Sequence, residues 1–286
     1  MVTIEKLLKD GIEIIKKRDF NNPILDVQLI LSNLLKKDRV YLHIHKSDVV
    51  SEEIVNKFYE MANRRNEGYP LQYMLNSQEF MGLEFYIQDG VLVPRPDTEI
   101  LVENIIKIVN NKSLNDKNIN ILDIGTGSGA IAVSLAYYLK NSNVTAFDVD
   151  KTALETTNIN ISKHELTNIK TLEGNIFDFN FDDVKYDIVV SNPPYIERNV
   201  IPDLPIEVSV YEPKLALDGG VDGLDYYRRI GEVFGKIHND SAILSVEIGY
   251  DQKHKVMEIF NKLNKFKSVE CLKDLGGNDR VVTGFL

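Results

Sequence analysis

The stretch that decides the fold is INILDIGTGSGAIAVSLAYYL, residues 119–139. Its first six residues form an apolar run that is typical of a strand buried on both faces, and the residues from Ala130 onward repeat apolar positions at the period of a helix. Three glycines separate these two segments, at Gly125, Gly127 and Gly129. The order of strand, glycine turn and helix is that of a nucleotide-binding α/β unit, in which glycines let a ligand approach the backbone amides.

The chain beyond this unit continues to alternate strands with helices. Asp148 ends the second strand, 23 residues past Gly125, where a carboxylate can accept hydrogen bonds from both hydroxyls of a ribose. The alternation predicts an α/β fold with a doubly wound, largely parallel sheet that binds its ligands at the carboxyl ends of the strands. The further strand candidates are NVTAFDV, IKTLEG, YDIVVSN, AILSVEIG and RVVTGFL, which begin at residues 143, 169, 186, 242 and 280.

The N-terminal part has a different pattern. Apolar residues repeat there at three- and four-residue steps in three segments, of which the second opens at Asn22-Pro23 and the third at Ser51, so a small helical bundle is predicted. Residues 79–96 then alternate apolar and polar positions around Asp89-Gly90, a strong signal for a hairpin turn. We therefore expect a helical domain at residues 1–75, a β-hairpin linker at 76–96 and a nucleotide-binding domain at 97–286.

Composition excludes several classes of protein. The single cysteine, Cys271, excludes an intrachain disulfide, and the spacing of the five histidines predicts no structural metal. The sequence carries no long apolar run and no secretion signal at its start, which indicates a cytoplasmic protein without a membrane anchor. Residues 1–75 carry 12 Lys and Arg against 11 Asp and Glu, whereas the remainder carries 21 against 32. An acidic second part argues against direct binding of nucleic acid.

The tetrapeptide Asn192-Pro193-Pro194-Tyr195 directly follows a predicted strand. Its two prolines end the strand abruptly and hold the chain stiffly. The side-chain carbonyl of Asn192 and the backbone carbonyl of Pro193 are then two acceptors in fixed positions, which match the two hydrogens of one NH2 group. An NH2 group gripped in this way would aim its lone pair at an electrophile, and Tyr195 would offer a flat face to a planar substrate group.

The glycine turn alone leaves several interpretations open. Gly125, Gly127 and Ala130 satisfy the loose dinucleotide pattern, so a nicotinamide or flavin enzyme is one, and a tight turn that binds nothing is another. The tetrapeptide could likewise be only a proline-rich turn. Both features together favour a ribose-containing cofactor that delivers a group to an NH2 nitrogen. Because the turn carries no phosphate-binding lysine, this combination suggests S-adenosyl-L-methionine and methyl transfer.

The chain resembles a known family in several motifs. It shares ILDIGTGSGAIAVSLA and SNPPY with seven-stranded, S-adenosyl-L-methionine-dependent methyltransferases that act on amino groups, including adenine-N6 DNA enzymes. In VLVPRPDTEILVE, YEPKLALDGGVDGLDYYRRI and DLGGNDRVV it is similar to the peptide chain release factor glutamine methyltransferases, the PrmC/HemK family, over nearly its whole length. The resemblance implies a seven-stranded sheet with a small helical substrate-docking domain, and we expect a monomer.

The activity that this resemblance implies is methylation of N5 of the glutamine in the Gly-Gly-Gln loop of bacterial-type release factors, with S-adenosyl-L-homocysteine as product. The enzyme would position its reactants for direct displacement at sulfur and form no covalent intermediate. Two alternatives stay open. One is a nucleobase amino-group methyltransferase of the adenine-N6 type, and the other is a non-catalytic partner-binding protein that uses the cofactor only for stability.

The resemblance also implies roles for single residues. Asn192, Pro193 and Tyr195 would be catalytic, and together with Pro194 they would hold the glutamine amide. Arg95 would shape the substrate mouth or brace the chain between hairpin and helix. A structural role is expected for Glu247 and Gly249, which resemble the family's strand-end motif. The residues expected to bind the cofactor are Gly125, Thr126, Gly127, Ser128, Gly129, Asp148, Asn175, Ile176 and Asn192.

The chain departs from the family pattern at three positions. Asn76 stands where many relatives have glycine, and asparagine tolerates a left-handed backbone better than most residues. Asn175 and Ile176 stand where relatives often have an aspartate and an aromatic residue. Asn175 can still offer an acceptor to the adenine amino group, and Ile176 or Phe177 can cover one face of the ring.

Overall fold

The computed structural model describes residues 1–15, 22–111, 117–181, 184–263 and 265–286. These residues form two compact units. A helical unit comprises Met1–Ser77 together with Leu204–Tyr211, and a sheet unit comprises Gln78–Asp203 and Glu212–Leu286. The helical unit therefore takes in a short segment from the middle of the chain, which the sequence pattern had placed in the C-terminal domain.

Helices and strands make up most of the described chain. The helices are α1 (Ile4–Ile15), α2 (Pro23–Leu35), α3 (Arg39–Ile44), α4 (Glu52–Asn66), α5 (Leu71–Leu75), α6 (Glu99–Asn111), α7 (Ala130–Tyr138), α8 (Lys151–Lys163), α9 (Ile206–Ser209), α10 (Asp225–Ile237) and α11 (Lys253–Lys262). The strands are β1 (Gln78–Phe80), β2 (Leu83–Phe85), β3 (Ile119–Ile124), β4 (Ser142–Asp148), β5 (Ile169–Glu173), β6 (Tyr186–Ser191), β7 (His238–Glu247), β8 (Ser268–Lys273) and β9 (Asp279–Phe285). Short 3-10 helices lie at Pro96–Thr98, Ile201–Asp203 and Lys214–Ala216. None of the helices in the described part of the chain has the length and apolar character needed to cross a bilayer.

Two helices of the helical unit, α2 and α4, begin where the sequence predicts. Asn22 caps α2, because its side chain accepts a hydrogen bond from the Leu25 N–H at 3.2 Å, and α4 begins directly after Ser51. Their apolar faces form a core separate from that of the sheet unit. Helices α3 and α5 are missing from the prediction, since six and five residues are too few to display a helical period.

A buried arginine joins the two parts of the helical unit. Arg65 on α4 is only 5% exposed, and its Nε donates to Asp26 Oδ2 on α2 at 2.7 Å. Its Nη1 pairs with the carboxylate of Glu207 on α9. Because a buried charge is tolerated only when it is paired, this arginine holds α9 on the helical unit. Asn76 directly follows α5, and its φ of +50° confirms the left-handed turn expected there.

The linking hairpin forms at a different turn from the predicted one. Strands β1 and β2 pair in antiparallel fashion, and the loop between them consists of Met81 and Gly82, both with positive φ. The expectation of a hairpin turn at Asp89-Gly90 was wrong. Gly90 does turn the chain with a φ of +84°, but residues 91–96 form no strand that could pair across this turn. The reason is that Pro94 and Pro96 cannot donate hydrogen bonds to a ladder.

The sheet unit confirms the doubly wound α/β fold. Its seven strands run in the order β5-β4-β3-β6-β7-β9-β8. They are parallel to their neighbours up to β7, and β9 is antiparallel to both β7 and β8. Strand β8 is absent from the prediction because its sequence, SVECLK, is a half-exposed edge strand without an apolar run. The strand order reverses at β3, and such a switch point opens a crevice at the carboxyl edge of the sheet.

The buried arginine gives a testable prediction. Replacing Arg65 with alanine leaves the Asp26 carboxylate buried without its main partner, so we expect the helical unit to lose about 3 to 5 kcal/mol of stability. The measurement is native-state hydrogen exchange of amides in α2 and α4. Lys57→Ala is the matched control, since it removes an exposed ion pair with Glu53 from the same helix and should change exchange little. Equal protection in the two variants would contradict the role of Arg65.

Candidate functional site

A cavity of about 250 Å³ opens at the carboxyl edge of the sheet. The chain segments that follow β3, β4, β5 and β6 line it, together with the segment around Arg95 and Thr98. All of these segments belong to the sheet unit. The cavity therefore occupies the crevice that the reversal of strand order predicts.

The glycine turn after β3 leaves open space for a ligand. Gly125 and Gly127 have φ values of +74° and +58°, which favour glycine, and a Cβ atom at either position would meet no atom within 4 Å. Gly129 has a different constraint, because a Cβ there would lie 3.0 Å from the side chain of Thr157 on α8. The first two glycines thus shape the cavity wall, whereas the third permits close packing of the turn against a helix.

Asp148 joins the end of β4 to the glycine turn. Its Oδ2 accepts a hydrogen bond from the Gly127 N–H at 2.9 Å, and its Oδ1 accepts one from the Asp150 N–H at 2.9 Å. Each carboxylate oxygen retains a second lone pair. Burial raises the pKa of Asp148, although these amide hydrogen bonds oppose the shift. The carboxylate lines the cavity, at the place where the sequence predicts a ribose contact.

A second carboxylate, Asp123 on β3, lies beneath the turn and was missed by sequence reasoning. It is fully buried, and its Oδ2 accepts a hydrogen bond from the Thr126 hydroxyl at 2.7 Å. Its Oδ1 has no hydrogen-bond partner among the described residues. Burial raises the pKa of Asp123 to about 7, and repulsion from Asp148 adds to this shift. The only sequence signal was an acidic residue within a mostly apolar strand.

Three residues of the predicted tetrapeptide share the cavity wall with the glycine turn. Strands β3 and β6 are neighbours, and the Ser191 hydroxyl at the end of β6 donates to the Ile124 carbonyl oxygen at 2.6 Å. This bond brings the two strand ends together. Asn192, Pro193 and Pro194 consequently line the same cavity as Gly125 and Asp148.

Tyr195, the fourth residue of the motif, has a different environment. It is not among the described residues that line the cavity, and its ring packs against the core of the sheet unit. Its hydroxyl donates to Glu247 Oε1 at 3.3 Å, and burial together with the Glu247 charge raises the pKa of the phenol. Tyr195 thus packs into the core, whereas the three residues before it line the cavity. That its ring offers a flat face to the substrate stays a prediction.

The motif is braced by a strap, residues 218–223, that the sequence analysis did not explain. Cβ atoms added at Gly219 and Gly223 would lie 2.7 Å from the Tyr195 Cα and 2.5 Å from the Tyr195 carbonyl oxygen. The Gln252 side chain completes the brace, because its Nε2 donates to the Tyr195 carbonyl oxygen at 2.9 Å. Gly249, whose N–H donates to Gln252 Oε1 at 3.0 Å, supports this glutamine. The glycines of the LDGGVDG stretch therefore allow the strap to pack directly on the motif backbone.

The segment after β5 forms the far side of the cavity. Asn175 accepts a hydrogen bond from the Phe177 N–H through its Oδ1 at 3.0 Å. Ile176 is buried, whereas Phe177 is 48% exposed and packs edge-on against Tyr226 at 5.2 Å. All four side chains lie at the cavity. An aromatic group is thus present at this wall, one residue later than the family pattern indicates.

Arg95 lies at the cavity and is held by a buried carboxylate, while its role toward substrate stays a prediction. It lines the cavity, and its Nη2 donates to Glu212 Oε2 at 2.6 Å. The Glu212 side chain is 2% exposed, whereas that of Arg95 is 41% exposed. The buried carboxylate therefore braces the guanidinium group while leaving part of it open to solvent at the cavity.

The chemistry available at the cavity is restricted. Neither Lys nor His occurs among the described residues that line it, and the side chains there that could act as a base are Asp148, Asp150 and Tyr226. Within the described ranges, no three or more His, Cys, Asp or Glu side chains are grouped to hold a metal ion. The arrangement is suited to binding and orienting polar groups.

Comparison with known proteins gives concordant matches. Two family models match the chain, one described as a methyltransferase domain over residues 115–275 and the other as the PrmC N-terminal domain over residues 6–75. The chain is 39% identical over 281 residues to a release factor glutamine methyltransferase of Clostridium botulinum, with 98% of each chain covered. It is 40% identical to another of Fusobacterium nucleatum, covering 96% of this chain and 77% of that one. A methyltransferase structure from Pyrococcus furiosus, at 20% identity and a TM-score of 0.50, covers 72% of this chain and 89% of its own, a likeness that supports the fold alone.

The strap gives a second prediction. Gly223→Ala places a Cβ atom against the Tyr195 carbonyl oxygen and Gln252, so one of them must move. Gly277→Ala is the control, because Gly277 also has a positive φ but no atom within 4 Å of a Cβ. Both variants incur a left-handed backbone cost of about 1 kcal/mol. We expect Gly223→Ala to lose about 1 to 3 kcal/mol more, measured as free energies of unfolding, and equal losses would refute the close packing.

Proposed function

The chain belongs to the release factor glutamine methyltransferase family, and on this basis we propose that it methylates the side-chain amide nitrogen of a glutamine in peptide chain release factors. The methyl donor is S-adenosyl-L-methionine and the product is S-adenosyl-L-homocysteine. The target is N5 of the glutamine in the Gly-Gly-Gln loop. The observation that carries this proposal is the position of Asn192 and Pro193 beside the glycine turn, on the wall of one cavity.

The residues of the cavity fit this cofactor. The open space over Gly125 and Gly127 admits a ligand to the backbone of the turn, and the Asp148 oxygens have lone pairs left for the two ribose hydroxyls. Ile176 and Phe177 provide apolar surface for the adenine, and Asn175 provides an acceptor for its amino group. Thr126 and Ser128 also line the cavity and would hold the methionine part, whereas Gly129 packs against α8 and is not among the described lining residues. When bound, the cofactor supplies a methyl group on a positively charged sulfur.

The enzyme's own contribution is to orient the glutamine. The Asn192 side-chain carbonyl and the Pro193 backbone carbonyl each accept one hydrogen of the substrate NH2 group, and Pro194 keeps both acceptors in place. The gripped nitrogen then presents its lone pair toward the cofactor side of the cavity. Holding two reactants in a productive geometry removes several kcal/mol from a barrier. This mechanism agrees with the absence of Lys and His from the described cavity lining.

Residues outside the Asn192–Tyr195 motif select the substrate. The near-neutral segment 1–75 provides the docking surface for a folded release factor domain, and the partly exposed guanidinium of Arg95 lies at the substrate mouth. We assign no direct contact with nucleic acid, since the part beyond residue 75 has an excess of 11 acidic residues, and a nucleobase substrate is not favoured. The protein acts as a monomer in the cytoplasm, and its partner is a basic region of the release factor whose binding weakens with salt.

The direct test is mass spectrometry of an intact release factor after incubation with the protein and S-adenosyl-L-methionine. We expect the peptide that contains Gly-Gly-Gln to gain the mass of one CH2 group on the glutamine. An unmodified glutamine, under conditions where the cofactor is bound, would refute the proposal. Methyl incorporation into DNA or RNA oligonucleotides instead would favour the nucleobase activity.

A third prediction concerns Asn192. Asn192→Ala removes one of the two acceptors, so we expect kcat to fall by about a hundredfold or more, while the dissociation constant for S-adenosyl-L-homocysteine stays nearly unchanged. The control is Asn143→Ala, because Asn143 lies on β4 toward the opposite edge of the sheet. Wild-type kcat in Asn192→Ala would exclude this acceptor role.

A fourth prediction concerns Asp148. Asp148→Ala removes two potential ribose contacts and a hydrogen bond to the glycine turn, so we expect the S-adenosyl-L-homocysteine dissociation constant to rise by about tenfold to a hundredfold. Calorimetric titration measures this constant. Asp187→Ala is the matched control, since Asp187 also accepts two hydrogen bonds but does so near the start of β6. If Asp148→Ala bound the cofactor product as tightly as the control, Asp148 would not belong to the site.

A further inference from the structure

A buried chain of hydrogen bonds connects the end of β7 to the proposed substrate-binding residue. Glu247 is 1% exposed, and its Oε2 accepts a hydrogen bond from the Thr98 hydroxyl at 2.5 Å. Thr98, itself 4% exposed, accepts a hydrogen bond from Asn192 Nδ2 at 3.2 Å. Glu247 Oε1 accepts a further hydrogen bond from Tyr195 at 3.3 Å. These hydrogen bonds therefore reach two residues of the Asn192–Tyr195 motif.

The direction of these hydrogen bonds follows from the chemistry of the groups. An ionised carboxylate can only accept, and a hydroxyl group has one hydrogen to donate. Thr98 gives its hydrogen to Glu247, so it can face Asn192 only as an acceptor. The nitrogen of the Asn192 carboxamide must then point toward Thr98. The carbonyl oxygen consequently points the other way, because the two groups lie on opposite sides of the same carbon.

We propose that Glu247 and Thr98 are positioning residues that fix the rotation of the Asn192 carboxamide, so that its oxygen faces the substrate amide. This inference rests on the proposed function, in which Asn192 accepts a hydrogen from the glutamine NH2 group. The opposite rotation would present an NH2 group to another NH2 group, and two donors cannot form a hydrogen bond. The pair thus selects the one rotation of Asn192 that recognises a carboxamide nitrogen.

The protonation state of Glu247 sets the direction of the hydrogen bonds that link it to Thr98 and Asn192. Burial raises the pKa of Glu247 to about 7, while hydrogen bonds from Thr98 and Tyr195 and the charge of Arg280 oppose the shift. When protonated, Glu247 donates to Thr98, and the Thr98 hydrogen becomes available to the carbonyl oxygen of Asn192. This reversal turns the carboxamide NH2 group toward the substrate. Activity should therefore be lost as the pH falls through about 7.

The other charged and titratable groups around Glu247 lie on β9, on α10 and in the segments before α6, after β6 and after β8. Arg280 on β9 forms ion pairs with Asp97 at 3.1 Å and Asp274 at 3.0 Å. Tyr227 on α10 donates to the backbone oxygen of Glu247 at 3.0 Å. Burial raises the pKa of both Tyr195 and Tyr227, so each remains a neutral donor in this pH range. Glu247 is therefore the member of the group whose charge changes near neutral pH.

A fifth prediction tests the pair through Thr98. Thr98→Val removes the hydroxyl at nearly constant volume, so we expect kcat to fall by about tenfold or more, the equivalent of one lost hydrogen bond. Thr98→Ser keeps the hydroxyl and should recover most of the activity. The S-adenosyl-L-homocysteine dissociation constant should stay unchanged in both variants. Thr283→Val is the matched control, because Thr283 is also buried and also accepts a hydrogen bond from an asparagine, Asn104, at 3.2 Å.

A second measurement does not depend on turnover. Nuclear magnetic resonance of the Asn192 side-chain amide should show a chemical-shift change with an inflection near pH 7 in the wild-type protein, and Glu247→Gln should abolish it. Three results would each overturn the proposal. These are a wild-type kcat in Thr98→Val, a loss of kcat in Thr98→Ser equal to that in Thr98→Val, and an Asn192 amide signal that does not change with pH. If the wild-type protein left the glutamine unmethylated while the amide signal still titrated, the proposed function would fail and the positioning pair would stand.

Discussion

The parallel pairing of β3 with β6 is the constraint on which the rest of the site depends. It registers Asp123 opposite Val190, so the two strands end together, and the Ser191 hydroxyl ties those ends through the Ile124 carbonyl oxygen. Ser191 and Ile124 are 67 residues apart along the chain. Their hydrogen bond nevertheless brings the proline motif and the glycine turn to one cavity. Two reactants that must meet can bind there without any movement of the sheet.

The sequence predicted the parts of the site that lie directly after strands. Gly125, Asp148 and Asn192 each follow a buried apolar run, and the carboxyl ends of neighbouring parallel strands must meet. The same argument could not place Tyr195, because the direction of a side chain after two prolines depends on what packs behind it. It could not explain Gly223 either, since the close approach of the strap to the motif involves no local period or turn signal.

The remaining misses have similar causes. Asp89-Gly90 is the stronger hairpin signal in the sequence, but Met81 and Gly82 form the turn because only their flanking residues can complete a ladder without proline. Thr98 and Glu247 look like ordinary members of a helix start and a strand end. Their contact at 2.5 Å joins residues 149 apart in sequence, which pattern reasoning from one chain cannot detect. Long-range polar contacts of this kind depend on tertiary packing.

Buried carboxylates give the sheet edge a common electrostatic character. Asp123, Asp148 and Glu247 all have raised pKa values, each mainly because of burial, and the charge of Asp148 raises the pKa of Asp123 further. A positively charged ligand near Asp123 and Asp148 would relieve this repulsion and favour their ionised forms. A sulfonium cofactor with an ammonium group brings such charge, so the acidic edge favours the same cofactor as the geometry.

The composition of the helical unit limits how the protein can be divided. Residues 204–211 lie within the sequence of the C-terminal part but fold with the first 77 residues. A shortened chain starting at residue 78 would thus retain α9 but lack Arg65, which pairs with Glu207. Residues 204–211 would then have no helical unit to pack against. The reciprocal fragment would keep Arg65 and Asp26 but lack the third member of their ion cluster. A cut between residues 77 and 78 therefore divides the helical unit and separates Glu207 from Arg65 and Asp26.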